Sequence, residues 1–453
     1  MDELRKLACF VSGFKLEDAP DEVVNAARFC VLDTIGSALG ATRFEEIPAL
    51  SAELSLWTAS DTPRNAAVWG QRKRMDVFAA LLINGMLSHA LELDDVHAES
   101  KSHIGAVVVP SAWTLADALG SSGAAFLESV IVGYETMARV GMAMDAASNR
   151  KRGWHATGLI GTFGAAAAAA RLLGLDELKT LYSLGMAGTQ SSGLWAFLAE
   201  GATCKKLHTA RAAVNGISAA ILAKAGMTGP ARILDAADGG LYAAVSDSYD
   251  MAKLCEDLGA TYQITRIDKK PYPCCRSTHH AIDAALAVRK DPEFDIENID
   301  SVSVRTYDVA VLQCGNATYP GGAVEAKFSI AFTCAVALVY GRVTLAEFGP
   351  LVLGDPSIRE IAGRTRVVED PEFTKRYPKR WGCELEITLK SGARLRKRID
   401  DMSGSVNRPL TEEQEKSKFI SLAAGAFELP ACVGKLQNAI LAAESLDRLP
   451  DLA

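Results

Sequence analysis

Over most of the first 265 residues, apolar side chains recur at the three- and four-residue spacing of helices packed on at least one face. The spacing predicts helices over Asp21–Leu39, Val77–Leu91, Trp113–Leu119, Ala124–Met144, Leu159–Leu173, Leu178–Met186, Thr209–Ala225 and Ala252–Leu258. Gly174 and Gly226 fall at helix-ending positions, and Pro230 bars simple continuation of the helix before it. After residue 265 the pattern changes. Asp300–Tyr307 alternates as a strand does, and Glu384–Leu389 and Arg394–Ile399 flank a Lys-Ser-Gly-Ala turn as the arms of a hairpin. Helices are predicted over Ile282–Lys290 and Ala326–Tyr340, and helical spacing returns after Pro409, at Glu412–Ala424 and Ala431–Ala443. The pattern therefore predicts a mostly α chain with an α+β second domain. Residues 1–265 and 402–453 form a large all-helical domain, and 266–401 a smaller α+β unit of helices on an antiparallel sheet, inserted into it.

A length of 453 residues exceeds the usual size of one core, in keeping with two domains. A net charge of −7 gives no reason to expect nucleic acid or an anionic membrane as partner, so an anionic ligand needs Lys and Arg concentrated locally. The ten cysteines include no CxxC pair and read as reduced thiols in the cytoplasm. Adjacent Cys274 and Cys275 are the exception to inspect. The N-terminal residues lack the apolar run of a signal peptide, and no stretch reaches the roughly 20 apolar residues of a membrane span. There is no GxGxxG after a strand, no Walker loop, no GxSxG elbow and no HExxH. Nucleotide binding, serine hydrolysis and zinc proteolysis lack support, and the expectation is an enzyme with no metal and no cofactor.

Chemistry concentrates in four places. Residues 89–105 hold three of the seven histidines (His89, His97, His103) and four carboxylates, Asp94 and Asp95 among them, just after an apolar helix. A packed core has little room for adjacent carboxylates unless each is paired or protonated, so the segment suits proton transfer. His155 lies between Gly153 and Gly158 immediately before a helix, where free N–H groups and a positive helix end favour anions. Lys205 and Lys206 precede the predicted helix from Thr209, so near a helix N-terminus they oppose its dipole unless an anion compensates. Last, two prolines stiffen the loop from Lys269 through Tyr272 to Arg276 and His279, which offers Lys270 and Arg276 as positive heads.

Taken in order, these segments resemble the MmgE/PrpD family: His89-Ala-Leu-Glu-Leu-Asp-Asp-Val-His97, His103-Ile-Gly, Trp154-His155 before Gly161-Thr-Phe-Gly164, Lys205 with Leu207-His208, and Lys270-Pro-Tyr-Pro-Cys-Cys-Arg276. Asp33-Thr-Ile-Gly36 and Glu325-Ala-Lys-Phe-Ser329 also look like it, so the resemblance spans essentially the whole chain. It implies an all-helical domain built from both chain ends, a smaller α+β lid domain, a homodimer, a pocket between the domains and cofactor-free action on small di- or tricarboxylates. The family includes 2-methylcitrate dehydratase, cis-aconitate decarboxylase and iminodisuccinate epimerase. Carried over residue by residue, the decarboxylase pocket resembles this chain at His103, His155, Lys205 and Lys270. Where the decarboxylase has a further histidine, this chain has Cys275, which weighs against simple decarboxylation.

The expected reaction makes or quenches a carbanion-like centre beside a carboxylate, either as a lyase of the dehydratase type or as an isomerase that epimerises. His103 or His155 serves as general base, Lys205 with Lys270 and Arg276 supplies the positive charge that stabilises the developing enediolate, Asp94 and Asp95 are further catalytic candidates, and Cys275 is a candidate second acid/base. Lys270, Arg276, His97 and His279 are expected to hold substrate. Two other readings stand beside it: a catalytically inactive carboxylate-binding homodimer, and a metal-dependent lyase using His97 and His103.

Overall fold

The computed structural model describes residues 2–44, 46–59, 62–426 and 430–453. The chain divides into two compact units, Met1–Trp195 with Cys204–Ile267 and Thr411–Ala453, and Ala196–Thr203 with Asp268–Leu410. The first is a large helical unit and the second a smaller α+β unit.

Close helix packing organises the first unit. The helices Gly123–Met142, Ala156–Leu172 and Lys205–Lys224 meet through small residues. A Cβ on Gly133 would stand 2.6 Å from a Val108 methyl and 3.1 Å from the Gly164 carbonyl, and one on Gly216 would stand 2.5 Å from the Thr162 carbonyl. Ala165 to Ala170 are buried on every side. The alanine-rich stretch is thus a central helix whose neighbours approach backbone to backbone, because interaxial distance is set by the side chains at the contact. Among the described residues one helix, Asp21–Gly40, is long and apolar enough to cross a membrane by length and composition, but most of it is buried inside the protein. Gly36 on that helix lets Phe419 of Glu412–Ala423 lie against it, with a Cβ there only 3.0 Å from Phe419 Cδ2.

In the second unit a four-stranded sheet runs in the order Thr365–Glu369, Ile299–Thr306, Cys383–Leu389, Arg394–Ile399. Cys383, Leu385, Ile387 and Leu389 face inward, and the intervening Glu384, Glu386 and Thr388 are half-buried on the other face. The edge strand Arg394–Ile399 carries Arg394, Arg396, Lys397 and Arg398, charges that discourage pairing with a further strand.

Several expectations need correction. The sheet is mixed, because Thr365–Glu369 pairs parallel to Ile299–Thr306. The helices Ile330–Tyr340 and Pro356–Gly363 between them provide the crossover that a parallel pair requires. The helix expected from Trp113 begins at Gly105 and runs through Pro110, with Asp95 accepting from the Gly105 N–H at 2.9 Å. The helix expected from Ile282 begins at Arg276, since its polar first turn is buried rather than a loop. Ala252–Leu258 forms only the short turn Met251–Leu254, ahead of Asp257 with φ +50°.

Gly216→Ala should force the Lys205–Lys224 helix away from Ala156–Leu172 and destabilise the protein by about 1–3 kcal/mol, read as a lowered urea midpoint. An unchanged midpoint would show that the helices do not touch there.

Candidate active site

His89 lies in the last turn of Val77–Ala90, a helix capped by Asp76, and its Nδ1 is 2.9 Å from Asp94 Oδ2. His103 Nδ1 lies 2.9 Å from the same oxygen. A single carboxylate, fully buried, thus faces two imidazoles. Burial alone would raise the Asp94 pKa, but the charges and hydrogen bonds of His89 and His103 hold it well below the usual carboxylate range. An ionised carboxylate only accepts, so the nitrogen facing it carries the proton and the chemistry of His103 passes to Nε2. The turn into this arrangement runs through Glu92 at φ +57°, an uncommon conformation for a residue with a side chain.

What holds Glu92 is Lys205. Its ammonium pairs with Glu92 Oε1, and both residues are buried. Lys206 pairs with Glu46. Protein carboxylates therefore compensate both lysines in the first turn of Lys205–Lys224, a helix that begins four residues before its expected start. The contact depends on Gly85, where a Cβ would come 2.7 Å from Ala210 Cα. Thr209 Oγ1 also donates to the Gly85 carbonyl at 2.9 Å. From the other side, Lys418 donates to the Leu93 carbonyl at 2.8 Å and to Asp33 at 2.7 Å, so the Glu412–Ala423 helix steadies the same loop.

His155 stands at the N-cap of Ala156–Leu172, as its glycine-flanked position suggests. Its backbone N–H donates to the Gly193 carbonyl at 3.0 Å, and Trp195 N–H donates to the Gly153 carbonyl at 2.9 Å. The His155 ring packs edge-on to Trp195 at 5.3 Å and stacks toward His89 at 6.3 Å. Its Nδ1 lies 2.9 Å from Nδ1 of His208. Burial first, then the charge of Lys205, pushes the His155 pKa well below its ordinary value. The same two causes take half-buried His208 down to about 4.

Of the residues singled out in this unit, His103, His155, Lys205 and Asp94 come together, joined by His89, Glu92 and His208. Asp95 and His97 are placed otherwise. Asp95 is fully buried, accepting from the Gly105 N–H and from Tyr134 OH at 2.6 Å, and is spent on holding the start of a helix. His97 Nδ1 accepts from the Ser100 N–H at 3.2 Å and the ring bonds the Gln263 side chain, leaving the residue 2% exposed. The spacing of His89 five residues before Asp94, and of His208 three after Lys205 on one helical face, was the signal for the added histidines.

A metal reading has one trio to consider among the described residues. His89, Asp94 and His103 offer ligand atoms within 4.8 Å of one another, and His97 is not among them. The atoms concerned already face each other as imidazole N–H and carboxylate, an arrangement satisfied by protons.

In the second unit Lys270 is fully buried. Arg276 opens the Arg276–Val288 helix, bonds Asp268 through Nε at 2.7 Å and lies 3.8 Å over the Trp381 ring. Its Nη1 is buried with no hydrogen-bond partner among the described residues. A guanidinium N–H left so is costly, and an anion would satisfy it. Cys275 caps the same helix, with Sγ 3.6 Å from Gln313 Nε2. Burial pushes the neighbouring Cys274 thiol up to about 12. His279 is fully buried, with Nε2 3.3 Å from the Cys274 carbonyl and its ring edge-on to Tyr272 at 5.2 Å. Burial, then Lys270, holds its pKa well below the ordinary value. Its Nδ1 is buried with no hydrogen-bond partner among the described residues.

The sequence matches the family profile of the MmgE/PrpD N-terminal domain over residues 5–253 and that of the MmgE/PrpD C-terminal domain over 272–435. It is 27% identical to a cis-aconitate decarboxylase-like protein, oryM, of Aspergillus oryzae, over 97% of this chain and 94% of that protein. It is 28% identical to the cis-aconitate decarboxylase of Homo sapiens, over 91% of this chain and 86% of that protein. Identity to the 2-methylcitrate dehydratase of Salmonella typhimurium is 23%, over 78% and 75%.

The buried histidines fix an acid limit. His97 falls from an ordinary 6.5 to about 4, chiefly through burial. Between those values the unfolded chain binds the proton and the folded one does not, so its stabilisation is complete above pH 6.5 and lost as pH falls toward 4. The slope it adds is at most about 1.4 kcal/mol per pH unit. Urea unfolding at several pH values should give a shallower slope for His97→Asn than for the parent, and parallel slopes would contradict the assignment.

Proposed function

The chain belongs to the MmgE/PrpD family, and from that premise we propose that it is a lyase, independent of metal and organic cofactor, that moves a proton at a carbon beside a carboxylate of a small tricarboxylate. The observation that carries the reading is the shared contact of His89 and His103 with ionised Asp94, next to His155 and the Lys205–Glu92 pair. His103, its Nδ1 proton directed at Asp94, presents the Nε2 lone pair as base. Lys205 exchanges Glu92 for a substrate carboxylate and stabilises the charge that develops on its oxygens as the proton leaves. Lys270 and Arg276 are assigned to carboxylate recognition, a role that suits the buried Nη1 of Arg276. The negative charge of a tricarboxylate also raises the pKa of the neighbouring imidazoles, bringing them nearer the range in which acid–base catalysis works best.

In a dehydration, His103 takes the proton from carbon, His155 gives one to the departing hydroxyl, and the products are an alkene and water. Cys275, at the position where the decarboxylase pattern has histidine, favours this reading because it removes an imidazole proton donor. A second reading, decarboxylation, is favoured by the near-complete alignment with proteins named cis-aconitate decarboxylase. There the carbanion left by carbon dioxide takes a proton from His155.

Proton NMR in deuterated buffer with 2-methylcitrate, citrate, cis-aconitate and iminodisuccinate supplied separately distinguishes these outcomes. A new vinyl signal from 2-methylcitrate or citrate is expected. Loss of a carboxylate from cis-aconitate would establish the second reading. Deuterium entering an α position with the skeleton intact would overturn both in favour of an isomerase. Binding without turnover across the panel, seen as a raised melting temperature, would favour an inactive carboxylate-binding protein.

A further inference from the structure

His155 and His208 meet Nδ1 to Nδ1 at 2.9 Å. Between two neutral imidazoles that contact holds one proton, so the rings must be opposite tautomers. When the proton belongs to His155 Nδ1, that ring has its lone pair on Nε2 and is a base there. When it belongs to His208 Nδ1, His155 carries its proton on Nε2 and is an acid there. The position of a single proton between the rings thus decides what His155 does.

The contact is built rather than incidental. His208 lies against two glycines: a Cβ on Gly193, at φ +115°, would stand 3.4 Å from His208 Cγ and Nδ1, and one on Gly158 would stand 3.1 Å from His208 Cβ. Gly193 also accepts the His155 backbone N–H, so the backbone that leaves room for one ring fixes the other. Trp195 and His89 flank the His155 ring. His155 is 3% exposed, whereas His208 is half-buried at the outer end of the pair.

We propose that His208 is a positioning residue that relays protons between His155 and solvent, switching His155 between its acid and base forms through the shared Nδ1 proton. The proposal rests on proton chemistry at His155 as set out above. When His155 Nε2 gives its proton to the leaving hydroxyl or to the carbanion, its Nδ1 takes the shared proton from His208 Nδ1, and His208 Nε2 takes one from water. One proton has gone from solvent to substrate, both rings are neutral before and after, and their tautomers have exchanged. The reverse sequence, in which His155 Nε2 takes up a proton and His208 Nε2 releases one to water, restores the acid. Burial and Lys205 make a lasting positive charge on either ring unfavourable, and a relay that leaves both rings neutral avoids one.

His208→Asn separates relaying from positioning, because an amide at the Nδ1 position can still bond His155 but cannot pass a proton on. With 2-methylcitrate and cis-aconitate as probes, kcat should fall at least about tenfold with KM within about twofold, and the solvent deuterium isotope effect on kcat should rise. His208→Ala should lose as much, and imidazole added to the buffer should restore part of it. Parental kcat and isotope effect in His208→Asn would overturn the relay, as would a loss confined to KM or a loss that imidazole does not relieve. If the parent protein turns over neither compound nor citrate, the function proposed above fails on its own, and 15N NMR of the resting histidines still decides the relay. Complementary, exchanging Nδ1 protonation of His155 and His208 supports it, and two fixed tautomers or two protonated Nδ1 atoms overturn it.

Discussion

The site depends on one buried charge, the carboxylate of Asp94 held between two imidazoles. An isolated carboxylate with no exposure would protonate or unfold its surroundings. Asp94 stays ionised because His89 and His103 direct their Nδ1 atoms at it, and in return it fixes their tautomers and orientation. A carboxylate that orients a histidine while keeping its own charge leaves that histidine a usable lone pair at neutral pH. The arrangement is mutual, so removing either partner leaves a buried charge or an undirected ring.

Helix packing brings the pieces together. Gly85 lets the helix bearing His89 approach the helix bearing Lys205, and Lys205 in turn holds Glu92 in a left-handed turn. That turn sends the chain from His89 to Asp94 within five residues. The small residues along Ala156–Leu172 place His155 at the end of the same packed group. Backbone strain at Glu92 is thus offset by a buried ion pair, and the ion pair by the close approach of two helices. Each device would be unfavourable alone.

The helical unit and the α+β unit were legible because the apolar spacing changes after residue 265, and most helices fall within a few residues of their expected bounds. Helix starts were the weak point. Lys205, Arg276 and Gly105 each open a helix that was read as beginning later, because polar first turns look like loops until tertiary partners satisfy them and because Pro110, inside the helix from Gly105, reads as a helix breaker. The crossover that makes the sheet mixed was hidden for a related reason: Thr365–Glu369 is short and only Thr365 in it is buried, so it shows no clear alternation. At the candidate site, density of titratable residues pointed to the seventeen positions that include Asp94 and the two histidines facing it, but could not sort them. Asp94 and Asp95 are neighbours in sequence, yet one faces two histidines and the other a helix start and Tyr134. His97 and His103 differ in the same way, and only packing separates them.

The central claim is that an ionised Asp94 sets the protonation of the histidines that carry the reaction. The most direct measurement is the pH–rate profile of Asp94→Asn beside the parent, on whichever tricarboxylate the parent converts. An amide preserves size and still offers an oxygen, but it cannot carry the charge that holds both rings. The account predicts a kcat lower by about 10²-fold or more, a shifted profile and a KM within a few-fold of the parent, in a protein that remains folded. A folded variant with the parent's kcat and profile would contradict it, leaving Asp94 as no more than a buried support.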